Sequence, residues 1–170
     1  MAKPEKSEYN EFYQPYLERV EQQELIPALE HAYASLLEFP KTITSEKYEF
    51  RYAEGKWSVK EVFIHLADTE RVMQYRALRF SRNDPAELHG FDEQFFIKNS
   101  NSTDLQFEKV LEDLINVRKS SLSFFGSCSE SMLMKSGLAN NSNVSVRALG
   151  FIIAGHQAHH FNIIKTRYLV

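Results

Sequence analysis

The sequence predicts an all-α fold, four long helices packed as a bundle in a single domain spanning residues 1–170. Three observations carry that expectation. Four long segments repeat apolar residues at three- and four-residue spacing, the period of a helix with one buried face. The linkers between them carry the helix breakers. No stretch sustains the alternation of a half-buried strand, and no repeat at solenoid period is visible.

The first helical segment runs from about Pro15 to Glu38, with a stripe of Leu25, Leu29, Tyr33, Leu36 and Leu37. Pro27 lies inside it. Either the main helix starts near Glu24 with Pro27 in its first turn, or one helix kinks there. Pro40 ends it, and a connector with Tyr48, Phe50 and Tyr52 closes at Gly55. The second helix opens on a capping box, Ser58-Val59-Lys60-Glu61, with Trp57 placed as a staple. It runs to about Arg82 with Val62, Leu66, Met73 and Ala77 buried, and Asn83-Asp84-Pro85 stops it. Ala86 to Thr103 is a long connection, packed down by Gly90, Phe91, Phe95 and Phe96, with room for one short turn of helix. A loop of that length in a small domain is often functional. The third helix spans about Asp104 to Phe125 with a stripe of Leu111, Ile115, Leu122 and Phe125, and Gly126-Ser127 closes it. Asn140-Asn141-Ser142-Asn143 reads as a loop, and the last helix covers about Val144 to Tyr168. These connection lengths imply an up-down bundle or a variant with a longer crossover.

Composition narrows the function classes. With 43% apolar and 25% charged residues, and with 13 Phe and 8 Tyr, the chain is an ordinary globular sequence with large side chains for its core. The net charge is −3 and no long basic run occurs, so no nucleic-acid partner is expected. Arg71, Arg76, Arg79 and Arg82 are interleaved with Asp68, Glu70 and Asp84, a mixed-charge helix face. The single cysteine, Cys128, excludes an internal disulfide and a Cys-rich zinc site. The polar opening Met1-Ala2-Lys3-Pro4-Glu5 is not a signal peptide, and no apolar run approaches the ~20 residues of a membrane helix. A cytoplasmic protein without a membrane partner is therefore expected.

The histidines carry the chemistry. His156 and His160 are four apart on the last helix and stack on one face, a spacing that lets two imidazoles reach one metal ion. The residue after His156 is Gln157, not Glu, which argues against the His-Glu-x-x-His protease helix. Leu149, Ile152 and Ile163 share that stripe, so both histidines should point inward. His65 sits beside Val62, Leu66 and Val72 on the apolar side of the second helix. A bundle core can bring it opposite the last helix, and three histidines plus water is the open coordination of a catalytic ion. The plain alternative is ordinary core histidines with satisfied hydrogen bonds. His159 lies about 60° from His156 around the helix, so periodicity leaves that pairing open. His31 and His89 read as surface or loop residues.

Other polar residues have two readings each. Glu61 either supports His65 or only closes the capping box, and the box is preferred. Asp68 either orients a ligand or pairs with Arg71. Arg118 on an apolar stripe requires a buried carboxylate or an anionic ligand, with Glu70 or Asp68 as candidate partners. Tyr33 and Tyr75 are pocket walls or core aromatics.

Lys56-Trp57-Ser58-Val59-Lys60-Glu61 leading into His65-Leu66-Ala67-Asp68-Thr69-Glu70-Arg71 resembles the second helix of the DinB-like superfamily. Gly155-His156-Gln157-Ala158-His159-His160 resembles its fourth-helix motif, and Arg79, Arg82-Asn83-Asp84-Pro85 and Gly90-Phe91-Asp92-Glu93 resemble the region after helix two in one subgroup. The similarity runs from about Leu25 to Leu169. It implies a DinB/YfiT-like four-helix bundle with a long connection after helix two, a homodimer, and a divalent metal, zinc or nickel, held by His65, His156 and His160. His159 is then a neighbour. Some members transfer low-molecular-weight thiols such as bacillithiol or mycothiol to electrophiles, a related domain serves in ergothioneine biosynthesis, and others are labelled metal-dependent hydrolases. The chain departs from that pattern at Phe161-Asn162-Ile163-Ile164, where relatives often carry Arg-Gly-Gln. The expected function is thus a metal-dependent small-thiol S-transferase or hydrolase with a small-molecule substrate. The competing expectation is a non-catalytic metal-holding dimer that binds a small ligand.

Overall fold

The computed structural model describes residues 1–170. A short helix α1 (Gln14–Leu17) precedes α2 (Leu25–Glu38), so Pro27 lies in the first turn of a separate helix and there is no kinked Pro15–Glu38 rod. Proline is tolerated there because first-turn amides lack intrahelical acceptors. Helix α3 (Val59–Ser81) starts on the full capping box. The Glu61 amide donates to Ser58 Oγ at 3.2 Å, and the Ser58 amide donates to the Glu61 carboxylate at 2.8 Å. The long connection contains α4 (Glu93–Lys98), capped by Asp92. Then come α5 (Phe107–Ser127), α6 (Glu130–Leu133) and α7 (Val146–Ile163), which ends in a π-helical turn, Ile164–Tyr168.

Two expectations need correction. The stretch read as a plain loop is a hairpin, β1 (Ser136–Ala139) against β2 (Ser142–Ser145), with Ala139 opposite Ser142. Asn140 and Asn141 both adopt positive φ, 50° and 60°, the two-residue turn whose twist matches paired strands. The buried face of α5 is also rotated. Phe107, Val110, Leu114, Val117, Arg118, Ser121 and Phe125 are buried, whereas Leu111, Ile115 and Leu122 are only partly so. Apolar residues at adjacent positions offer two stripes ~100° apart, and only the neighbouring helices decide between them.

The four long helices form a ring in which α3 and α2 each pack against both α5 and α7. Chain neighbours α2 and α3 thus stand on a diagonal, as do α5 and α7, which makes the bundle the crossover variant. Its core has two apolar halves. One gathers Leu25, Leu29, Ala77, Phe80, Phe125, Phe151 and Ile152; the other gathers Leu36, Val59, Phe63, Leu114, Phe161 and Ile164. Each of the Val, Leu, Ile and Phe side chains among them contributes ~1.5–3 kcal/mol on burial. Between the halves lies a buried polar layer of His65, Thr69, Glu70, Arg118, Ser121, His156 and Gln157. Every residue of α7 from Val146 to Gln157 is buried, which makes this helix the axis of the molecule. No helix is long and apolar enough to cross a membrane.

Candidate metal centre

The polar layer is where the predicted histidines meet. α3 supplies His65 and α7 supplies His156 and His160, and one ligand nitrogen from each lies within 4.8 Å of the others. His65 and His156 are buried and His160 is partly so. The Nε2 atoms of His65 and His156 are 3.1 Å apart. Ring centroids are 4.9 Å apart for His65 and His160 and 4.6 Å for His156 and His160.

The electrostatics favour neutral imidazoles. Burial pushes His65 down to about 4. Burial, followed by the charges that His160, His65 and His159 would carry, holds His156 well below the ordinary histidine value; burial, His65 and His159 do the same to His160. Thr69 Oγ1 lies 3.4 Å from His65 Nδ1 and can accept its proton, leaving the Nε2 lone pair facing His156. Two lone pairs held at 3.1 Å repel unless a proton or a cation lies between them. Three convergent neutral imidazole nitrogens therefore fit a divalent ion, with an open side.

Aromatic rings hold the histidines in place. Trp57 packs on His65 with centroids 4.6 Å apart, and its indole N–H donates to Gln94 Oε1 of α4 at 3.0 Å. Tyr16 of α1 lies edge-on to both His156 and His159, at 5.3 and 5.2 Å. His159 stays outside the convergent group. His31 and His89 are exposed.

The polar candidates sort clearly. Glu61 serves the capping box and accepts from the Arg51 guanidinium. Arg71 reaches Asp113, with Asp68 at 3.8 Å. Arg118 forms a buried two-pronged pair with Glu70, at 2.8 and 2.9 Å, beside the histidines. Tyr75 is exposed and Tyr33 half-buried, and neither lines a cavity near the histidines.

The wall that reaches the histidines comes mostly from residues the sequence marked as core or surface, not as site residues. A cavity of about 210 Å³ opens against His156 and Thr69, walled by Tyr16, Phe91, Met73 and Ile152, with Arg76, Glu93 and Asn140 as its polar groups. The connection after α3 forms one side because the Leu88 amide donates to Leu138 O and the Asn140 amide to Leu88 O, pinning it to the hairpin. Arg76 had a signal: Thr69, Met73 and Arg76 follow His65 on one helical face. Tyr16 had none, being far away in the chain.

A model of the DinB superfamily matches residues 28–164. The chain belongs to the DinB superfamily. It is also similar in structure to YfiT from Bacillus subtilis, described as a probable metal-dependent hydrolase with an unusual four-helix bundle topology. The TM-score is 0.74 at 17% identity, covering 96% of this chain and 89% of YfiT. No curated protein sequence matches the chain. The superfamily match begins at Ala28, so Tyr16 and α1 lie before the matched residues.

Proposed function

We propose that this chain is a metal-dependent enzyme acting on a small molecule, with His65, His156 and His160 holding one zinc or nickel ion. The observation that carries the proposal is the convergence of three neutral imidazoles on one point, with the His65 and His156 Nε2 atoms 3.1 Å apart. The description of YfiT as a probable metal-dependent hydrolase supports the same reading. Such an ion, when bound, lowers the pKa of the protic nucleophile it meets, whether water or a low-molecular-weight thiol.

The chain's own residues have separable roles. Thr69 fixes the His65 tautomer, and Trp57 and Tyr16 hold the imidazole planes. The cavity admits the substrate against His156. Glu93 is its only carboxylate; desolvation, with a smaller push from Asp92, raises its pKa, which makes it a readier proton carrier than an exposed carboxylate. Cys128 caps the end of α5 and does not line this cavity, so a thiol nucleophile would be a cosubstrate. The enzyme is read as a cytoplasmic homodimer, with neither nucleic acid nor membrane as a partner.

Elemental analysis of the purified protein tests the centre. About one zinc or nickel per chain is expected, lost in His65→Ala and His160→Ala proteins that still fold. Metal retained by both variants would remove the triad. With the centre established, transfer of a small thiol to an electrophile and hydrolysis of an ester or amide are assayed side by side. A metal-loaded protein inert in both assays leaves the non-catalytic ligand-binding dimer.

A further inference from the structure

Three arginines are buried in this molecule, Arg76, Arg118 and Arg147. Two have carboxylate partners: Arg118 is paired with Glu70 and Arg147 with Glu8. Arg76 differs. It is 3% exposed, its Nη2 donates to the His89 carbonyl at 3.0 Å, its Nη1 faces Met73 Sδ at 3.8 Å, and its Nε has no partner. Its hydrogen-bond partners are both neutral and no carboxylate forms an ion pair with it, so the positive charge is unpaired. An ion is removed from water only at a large cost unless a counter-charge meets it. No carboxylate of the chain pairs with Arg76, and the guanidinium lines the cavity that opens on His156.

Position strengthens the point. His65, Thr69, Met73 and Arg76 lie along one face of α3. Arg76 is eleven residues past His65, ~16 Å along the axis, and helical side chains lean back toward the N-terminus. The Arg76 guanidinium and the His156 imidazole, both on the lining of one cavity, bracket a short molecule with two functional ends. The walls between them, Phe91, Met73 and Ile152, are apolar.

We propose that this cavity takes a substrate bearing a carboxylate, and that Arg76 binds that carboxylate while the substrate's other end reaches the histidines. A planar monoanion matches one guanidinium, whereas a phosphate dianion calls for more donors than Arg76 and Asn140 supply. Glu93 shares the cavity but forms no ion pair with Arg76, so the arginine stays available. The inference names the substrate class of the enzyme proposed above, and its reactive end rests on that reading; the arginine's role does not.

The test separates the two. Metal-stripped protein is titrated with hexanoate, hexanamide and hexyl phosphate, following the arginine Nε–H resonances and calorimetric heat. Hexanoate should bind about tenfold or more tightly than hexanamide, the difference between a charge-assisted and a neutral hydrogen bond, and should shift the Arg76 Nε–H signal. Arg76→Met should erase the preference, bringing hexanoate down to the level of hexanamide in the same variant. Arg76→Gln, which keeps a donor for the His89 carbonyl, replaces it if the Met variant does not fold. Repeating the titration on zinc-loaded protein with 6-mercaptohexanoate should add affinity through the thiol. If that gain is missing while the hexanoate preference persists, the metal reading fails and the arginine's role stands. Equal binding of hexanoate and hexanamide to the parent, a preference surviving in the variants, or tighter binding of hexyl phosphate would overturn the proposal.

Discussion

His65 is buried without an anionic partner, and its imidazole is held down to about 4 against 6.5 in an unfolded chain. Above pH 6.5 both states are neutral at this residue and the folded state bears no penalty. As the pH falls from 6.5 toward 4, the unfolded chain takes up a proton that the folded chain refuses, so stability is lost through that window. At pH 5 the loss from His65 alone is about 2 kcal/mol, and His156 and His160 are shifted in the same direction. Metal-stripped protein should therefore show a falling urea midpoint between pH 7 and pH 5, with a shallower fall in His65→Ala. An unchanged midpoint would mean that the imidazoles are not buried as neutral groups. At this scale the sequence was informative where burial and chemistry conflict: an imidazole or a guanidinium on an apolar stripe stands out. Arg118 was found that way, and its Glu70 partner was among the candidates. Arg76 sits among the alternating charges of the α3 surface, which hid its burial.

Helices α3, α5 and α7 meet through contacts that can be tested one at a time. A Cβ at Gly155 would run into the Tyr16 carbonyl oxygen, so only glycine lets α1 lie against α7 there. Gly155→Ala should cost about 1–3 kcal/mol and weaken metal retention, because Tyr16 packs on His156; a melt and a metal assay on one sample check both. The Glu70–Arg118 pair joins α3 to α5. Arg118→Met alone should cost about 3–5 kcal/mol by stranding a buried carboxylate, and adding Glu70→Leu should recover most of it. Chemical denaturation of the single and double variants measures the coupling. Helix existence was readable in all four long segments, and the α3 start to the residue, because capping chemistry is local. The buried face of α5 and the hairpin were not. The first depends on which neighbour covers the helix. The second rests on two short strands whose only local signal is Asn140-Asn141.

In the whole molecule, the polar layer divides the apolar core and the three convergent histidines occupy it. Superfamily resemblance adds the expectation of a homodimer, to be checked by sedimentation velocity at tens of micromolar. A sedimenting species of twice the chain mass is expected, and a single-chain mass at all concentrations would refute it. The crossover arrangement has a consequence for the centre. With α3 and α7 adjacent, His65 faces His156 across one helix–helix contact, although 91 residues separate them.

The sequence by itself determined the helical class, the start of α3, the inward-facing histidines and the need for a partner to Arg118. Periodicity, capping and the cost of burying polar groups act within a few residues or on one side chain at a time. Only the tertiary structure decided which histidine nitrogens converge, that Tyr16 closes over them, and that Arg76 is buried without a counter-charge beside the cavity. Each of these is a relation between segments far apart in the chain, set by which helices pack together and at what rotation. No local pattern encodes that packing.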